Sequence, residues 1–363
     1  MTSAALDFPN IRQPSPLFPN VTESLGMVPI VRLNQIHAQC QQHRLYLKLE
    51  SCNPGGSIKE KNAAYLVSDA EKRGLLKPGG TIVESSSGNF GIGLAIVGAV
   101  RGYRVKIVID AKTSPTIRRM LAAYGAELVE IPLSAADAHG SMQIARMEAA
   151  QKVMQEIPGA WYPCQHLNPQ NIQAHALFTA REIEASFNGA PDAIAIGVST
   201  AGQLGGIAEY FTQRYPQTKI IGIDVAGSVV FGMPQHSYKM TGLGLSFVPP
   251  NFDPGSLDAA YNVDDRLAFS VCHALARKEG LLLGASTGAI VAGTLAYVSR
   301  CKSPQRVLMI NPDRGDRYLE TVYNAEWLEQ QQISLWQEPE LSRVIESLQP
   351  VPLDVLHSVG TAA

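Results

Sequence analysis

Short β-branched apolar runs alternate along this chain with longer stretches of helical periodicity. That alternation constrains the fold more than any other feature. The runs fall at residues 46–50, 81–84, 105–109, 128–131, 193–198, 220–225 and 307–310. Several are apolar throughout, as strands covered on both faces must be. Helical patterns lie between them, at 60–73, 89–101, 115–124, 141–156, 170–187, 202–215, 264–279 and 287–299. Gly74, Gly102, Gly125 and Gly280 stand where left-handed C-caps are wanted. A strand, a helix and a further strand make a parallel pair with a crossover, so the expected class is α/β with parallel sheets. A length of 363 residues suggests about two domains. Residues 1–25, with several Pro and Asn and no period, read as an extended arm. Residues 330–363, polar and carrying Pro339, Pro350 and Pro352, read as a peripheral C-terminal tail, and the one candidate linker is the loop at 249–257.

Composition removes several functions. The 30 Lys+Arg against 32 Asp+Glu leave a net charge of −2, which offers no polyelectrolyte face to nucleic acid or an anionic membrane. The longest nearly apolar run, 91–100, is too short to span a bilayer. The first 25 residues lack a basic start followed by an apolar block, so no secretory signal is expected. Cys40, Cys52, Cys164, Cys272 and Cys301 are scattered and never form a CxxC, which argues for a reducing cytoplasm. His37, His43, His139, His175, His236, His273 and His357 show no ligand spacing with a thiol or carboxylate, and no metal is expected.

Four turns between a strand and a helix carry the chemistry. Asn53-Pro54-Gly55-Gly56-Ser57-Ile58-Lys59 opens a helix with a lysine. The helix dipole and any desolvation oppose an ammonium there and favour the neutral amine that Schiff-base chemistry needs. An exposed first-turn lysine would look the same. Ser85-Ser86-Ser87-Gly88-Asn89 offers hydroxyls and bare amides at a helix start, which suits a carboxylate, although a serine cap also fits. Ser199-Thr200-Ala201-Gly202-Gln203 suits a phosphate dianion, or is a tight turn and nothing more. Gly284-Ala285-Ser286-Thr287-Gly288 brings one hydroxyl, Ser286, to a similar place. Each turn alone is bland. The set has meaning because ligands of open α/β sheets gather at the strands' carboxyl ends.

In this order the turns resemble the fold-type II pyridoxal-phosphate enzymes of the cysteine synthase and cystathionine β-synthase family, from about Gly26 to about Leu328. Gly26-Met27-Val28-Pro29-Ile30-Val31-Arg32-Leu33 is similar to the family's opening G-x-T-P-L-V-x-L, the lysine turn to its N-P-x-x-S-x-K, and Ser86–Asn89 to its T/S-S-G-N. The turn at 199–203 stands in the place of its G-T-G-G-T loop. The resemblance implies pyridoxal 5′-phosphate in a cleft between two α/β domains. The large domain would be 1–53 with 167–329, the small mobile one 54–166, and 330–363 a tail. Lys59 would carry the cofactor and act as the catalytic base, Asn89 would bond its phenolic oxygen, and Ser286 would meet its pyridine nitrogen. Ser199, Thr200, Ala201, Gly202 and Gln203 would hold its phosphate. Ser85, Ser86, Ser87, Gly88 and Gln165 would take the substrate carboxylate.

A finer resemblance is to the branch that adds an amino-acid amine, such as that of L-glutamate, to an activated serine through an α-aminoacrylate. That branch leads to 2,3-diaminopropionate for siderophores or peptide natural products. The residues that carry it are Ser199-Thr200, Asp137-Ala138-His139-Gly140 leading to Arg146, the run Gly227-Ser228-Val229-Val230-Phe231-Gly232, and Asn311-Pro312-Asp313-Arg314-Gly315-Asp316-Arg317-Tyr318-Leu319. Plain cysteine synthases usually read P-S-S-G-E-R-Y-L at the last segment. Arg146, Ser199 and His166 become candidates for the second amino acid, with a solvated helix face the other reading of Arg146. Two departures stand out. The loop Gly242-Leu243-Gly244-Leu245-Ser246-Phe247 lacks the arginine of relatives that use O-phospho-L-serine, which leaves O-acetyl-L-serine open. His166 stands where glutamate-using relatives carry tyrosine. A homodimer in the cytoplasm is the family expectation. The competing readings are a cysteine synthase that uses sulfide and a non-catalytic binding protein on the same fold.

Overall fold

The computed structural model describes residues 16–36 and 42–359. The first fifteen residues of the expected N-terminal arm, His37 and Cys40 lie outside the described residues. A 3₁₀ turn, Val21–Ser24, is followed by β1 (Ile30–Leu33), β2 (Arg44–Leu49), α1 (Lys59–Lys72), β3 (Thr81–Ser85) and α2 (Asn89–Arg101). Next come β4 (Arg104–Asp110), α3 (Pro115–Ala123), β5 (Glu127–Ile131) and α4 (Gln143–Gln155). Then α5 (Gln170–Ala174), a π turn (His175–Ala180) and α6 (Arg181–Phe187) lead into β6 (Ala193–Gly197), α7 (Gly202–Arg214), β7 (Lys219–Val225) and β8 (Ala259–Val263). The chain ends with α8 (Asp265–Glu279), α9 (Ala285–Val298), β9 (Arg306–Asn311), α10 (Ala325–Gln330), α11 (Glu340–Ser347) and α12 (Leu353–Ser358).

Nine strands make two sheets among the described residues. The larger runs β1-β2-β9-β6-β7-β8, with every neighbouring pair parallel except β1 with β2. The smaller runs β3-β4-β5, all parallel. The α/β class read from the alternation is the class the chain adopts. Side chains alternate across the larger sheet, as the two-residue period of a strand requires. Ala193, Ala195, Val307 and Met309 pack with α8 and α9 on one face, and Ile194, Ile196, Leu308 and Ile310 pack with α7 on the other. In the smaller sheet Ile107 and Ile109 face α1 and α2, while Val108 faces α4. Crossover helices therefore cover both faces, and the strands' carboxyl ends, with the turns that follow them, stay free to build a site.

The structure corrects three expectations. The strands β1 and β8 were not apparent in the sequence, and both are edges. An edge strand has one ladder to satisfy and one face to cover, so Ala259-Ala260-Tyr261-Asn262-Val263 can pair without a continuous β-branched run. The helix expected at 170–187 is interrupted by the π turn, where α7 comes so close that a β-carbon on Gly206 would stand 2.3 Å from the Ile172 carbonyl oxygen. The C-terminal residues are not a peripheral tail. Leu341 and Ile345 enter one core cluster and Val351 and Leu356 the other, and the Val351 N–H donates to Ala260 O at 2.8 Å, which covers edge strand β8. The apolar spacing of Leu341, Val344, Ile345 and Leu348 is that of a helix face, so the signal was present beneath the prolines.

Candidate active site

The lysine turn forms between the end of β2 and the start of α1. The Glu60 carboxylate reaches back to accept from Gly55 N–H at 2.6 Å and Ser57 N–H at 2.9 Å, which ties the two glycines down. Gly56 lies at a φ of +86°, a region costly for any residue with a side chain. Lys59 is the first residue of α1 and keeps partial solvent access. Burial pulls its ammonium down from 10.5 to about 8, against the opposing pull of the Glu84 carboxylate. Near neutral pH a useful fraction is therefore free amine.

Glu84, at the end of β3, was not singled out in the sequence. Its carboxylate is fully buried and accepts from Ser85 N–H at 2.8 Å and Gln165 N–H at 3.4 Å, with burial pushing its pKa well above the carboxylate range. It thereby joins the serine turn to the segment that begins at Gln165. In the serine turn the readings divide by residue. Ser86 Oγ accepts from Gly88 N–H at 3.3 Å and Gly91 N–H at 2.9 Å, so its lone pairs serve the start of α2. Ser85 Oγ is buried with no hydrogen-bond partner, and Ser87, Gly88 and Asn89 are partly exposed.

The turn after β6 is shaped for an anion. Ala201 adopts a left-handed φ of +58° and starts α7 without a side-chain cap. α1 and α9 likewise lack one, whereas Ser114, Asp264 and Asn324 cap α3, α8 and α10. Gly202 packs flush on Asn171, since a β-carbon there would stand 2.1 Å from Asn171 Cγ. Asn171 Nδ2 in turn donates to Thr200 Oγ1 at 3.0 Å and to Gln165 O at 2.9 Å. Gln203 Nε2 is buried without a partner and Ser199 is partly exposed. Unspent donors at a bare helix start fit a phosphate. Ser286, in the first turn of α9, is 1% exposed, and Gly242 brings its backbone close enough that a β-carbon would lie 3.7 Å from Ser286 Oγ. A phosphate cradle, a part-neutral lysine and a lone hydroxyl together fit pyridoxal 5′-phosphate.

A second polar group surrounds Arg146. Its guanidinium is buried and paired with Asp110, itself 1% exposed, so the solvated-face reading of Arg146 does not hold. Arg146 Nε, Gln165 Oε1 and His166 Nδ1 are buried without hydrogen-bond partners. The His166 imidazole feels the charges of both Lys59 and Arg146, and burial together with those cations lowers it to about 3. It is neutral at any working pH. Its ring lies 5.9 Å from that of Phe247, in the loop with Gly242 and Gly244. Buried polar atoms without partners are uncommon in folded proteins, and three of them gathered here leave hydrogen-bonding capacity that a polar partner can use.

The sequence thus nominated Lys59, Asn89, Gln165, His166, Arg146 and the turns at 85–88, 199–203 and 286, and contacts in the structure link these segments. It passed over Glu84, Asn171, Asp110 and the roles of Asp313 and Arg317. An acid closing an apolar strand, as Glu84 does, is the signal that could have revealed one of them. Among the described residues no group of three or more His, Cys, Asp or Glu could hold a metal ion. Among the described residues no helix is long and apolar enough to cross a membrane.

Comparison with known proteins adds the following. The profile of the pyridoxal-phosphate dependent enzyme family matches residues 21–313. A relative from Cupriavidus metallidurans, an N-(2-amino-2-carboxyethyl)-L-glutamate synthase, is 35% identical over 312 residues, which is 85% of this chain and 91% of the relative. A protein of the same name from Ralstonia nicotianae is 34% identical over 309 residues, 85% of this chain and 90% of its own. Among solved structures, O-ureido-L-serine synthase superposes with a TM-score of 0.79 at 32% identity, covering 90% of this chain and all 100% of its own. The O-acetylserine dependent cystathionine beta-synthase from Helicobacter pylori gives 0.79 at 29% identity, over 85% of this chain and 100% of its own.

Proposed function

Since the chain belongs to the fold-type II family of pyridoxal-phosphate-dependent enzymes, we propose that it performs β-replacement on an activated L-serine. The donor is O-phospho-L-serine or O-acetyl-L-serine. The nucleophile is the amine of a second amino acid such as L-glutamate, giving N-(2-amino-2-carboxyethyl)-L-glutamate. The observation that carries the reading is the buried pair Arg146 and His166, each with an unpartnered ring or guanidinium nitrogen, His166 lying in the field of Lys59. A sulfide nucleophile would need no such donors and acceptors. The carboxylates of a second amino acid would.

When bound, the cofactor supplies an electron sink for the charge that develops at Cα of the serine donor. Lys59 removes the Cα proton and returns it after the amine has added at Cβ, and an amine near neutrality can do both. The turn at 199–203 would hold the cofactor's phosphate at the start of α7, and Asn89 would donate to its ring oxygen. Ser286 would meet its ring nitrogen with a hydroxyl, which would not hold a proton there as an acid would. That weakens the sink, restrains transamination and suits elimination of a β-substituent. The donor's α-carboxylate is received by Ser85, Ser86, Ser87, the backbone amides of the turn with Gly88, and Gln165. Arg146, fixed by Asp110, with His166 and Ser199, receives the second amino acid. The unit 54–166 closes over the substrate and keeps water from the reacting carbon. The loop at 242–247 offers no cation to the leaving group. Its Ser246 side chain meets Ser141 Oγ at 3.1 Å and Gln143 Oε1 at 3.2 Å. A cytoplasmic homodimer on a route to 2,3-diaminopropionate completes the reading, on the family resemblance alone.

The test follows the visible band of the purified holoenzyme as each serine donor is added, and then L-glutamate. One donor should move the band and glutamate should restore it, with a product of the joined mass seen by mass spectrometry. Turnover with sulfide but with no amino acid would make the protein a cysteine synthase. A protein with no cofactor band and no turnover would be a binding module.

A further inference from the structure

The segment after β9 touches three of the site's turns at once. Ser57 and Asp313 form an antiparallel bridge, Ile58 N–H donates to Pro312 O at 2.9 Å, and Arg314 N–H donates to Gly56 O at 3.2 Å. Gly284 N–H donates to Asp313 O at 3.2 Å, and Asn311 Nδ2 donates to the same carbonyl at 2.7 Å. The side chains converge on Asn89. Arg317 donates to Asn89 Oδ1 and to Gly55 O, and Asp313 Oδ2 accepts from Asn89 Nδ2 at 2.7 Å and from the Tyr318 hydroxyl at 2.5 Å. Asp313 is 1% exposed, and its other oxygen fills the space that a side chain at 284 would need, 1.9 Å from where a β-carbon on Gly284 would stand.

A primary amide has two ends of similar shape and opposite chemistry, a carbonyl that accepts and an NH₂ that donates twice. An unrestrained asparagine could face a ligand with either end. Arg317 has donors only, so it takes the carbonyl of Asn89. The Asp313 carboxylate accepts, so it takes one of the two N–H groups. One N–H of Asn89 remains. We propose that Asp313 is a positioning residue which, with Arg317, locks the Asn89 amide in the orientation that presents this remaining N–H to the cofactor's ring oxygen. The proposal rests on the assignment of Asn89 to that oxygen. It adds that a serine at 313, too short to reach Asn89 Nδ2, would leave Arg317 alone to hold the amide and so loosen its orientation.

The experiment uses the holoenzyme with Asp313→Ser, Asp313→Asn, Asn89→Ala and the double variant Asn89→Ala/Asp313→Ser. The visible absorbance band and its pH titration are read alongside kcat, KM for the serine donor and melting temperature. Asp313→Ser should shift the band and lower kcat about tenfold with KM little changed, the size expected for residues coupled through direct contact. Asp313→Asn, whose side-chain oxygen can still accept from Asn89, should restore the band. On the Asn89→Ala background, Asp313→Ser should change the band no further. A wild-type band in Asp313→Ser, or the same change with and without Asn89, overturns the proposal. A wild-type band in Asn89→Ala would instead remove the Asn89 assignment. Should Asp313→Ser fail to fold, Asp313→Thr fills more of the space and carries the same expectations.

Discussion

Gly202→Ala tests the phosphate cradle with a single methyl group. The new β-carbon would stand 2.1 Å from Asn171 Cγ, 2.2 Å from Oδ1 and 2.6 Å from Nδ2, so the fully buried Asn171 side chain must move. Movement breaks the bonds from Nδ2 to Gln165 O and Thr200 Oγ1. Two hydrogen bonds cost about 2 kcal/mol together. Crowding a packed site adds about 1–3 kcal/mol, and replacing glycine in a helix returns up to about 1 kcal/mol. The net is about 2–4 kcal/mol. If half of this falls on Thr200 and the neighbouring amides, affinity for the cofactor drops by roughly five- to thirtyfold, at about 1.4 kcal/mol per factor of ten. The assay titrates cofactor-free protein with pyridoxal phosphate, following the visible band, and repeats the titration with Asn171→Ala as the background. Removing the Asn171 side chain removes the obstacle, so there Gly202→Ala should cost less than about 0.5 kcal/mol, the limit for independent sites. Equal losses in both backgrounds would refute the steric argument. Unchanged affinity in the single variant would refute the cradle itself.

Three further outcomes are expected. Capture of pyridoxal phosphate by cofactor-free protein needs the neutral Lys59 amine. Its rate should climb as pH rises toward about 8 and level off above, whereas an ordinary lysine would keep climbing to about 10.4. A stopped-flow pH profile without that plateau would place the amine in water. Arg146→Met should raise KM for the second amino acid by about tenfold or more while the donor-induced band shift survives, since losing a charged hydrogen bond costs about 1.5–3 kcal/mol. An unchanged KM would remove Arg146 from that subsite. Ile345→Ala in α11 should cost about 2–4 kcal/mol because Ile345 is only 2% exposed within the core of the larger sheet. A melting temperature equal to wild type would return the C-terminal residues to the status of a tail.

The limits of the sequence follow from range. β6, β7 and β9 were legible because strands covered on both faces must be apolar at nearly every position. α2 and α8 were legible because their glycine caps at Gly102 and Gly280 take left-handed φ values of +76° and +70°. β1 and β8 were not, since an edge strand is specified by its single partner more than by its own composition. The π turn at His175–Ala180 depends on how close α7 comes through Gly206, a contact 30 residues away in the chain.

The same division runs through the site. By itself the sequence determined the class of fold, the lysine, and the bare helix starts, because backbone geometry and local chemistry decide those within a few residues. Only the tertiary structure decided the rest. Ser86 turned inward to the start of α2, and Glu84 tied together two turns 80 residues apart. Arg146 left solvent for Asp110, 36 residues away, and Asp313 with Arg317 closed on Asn89 from more than 220 residues along the chain. A side chain's partner at that separation is set by which elements pack together, and a buried polar group takes whichever partner the packing supplies.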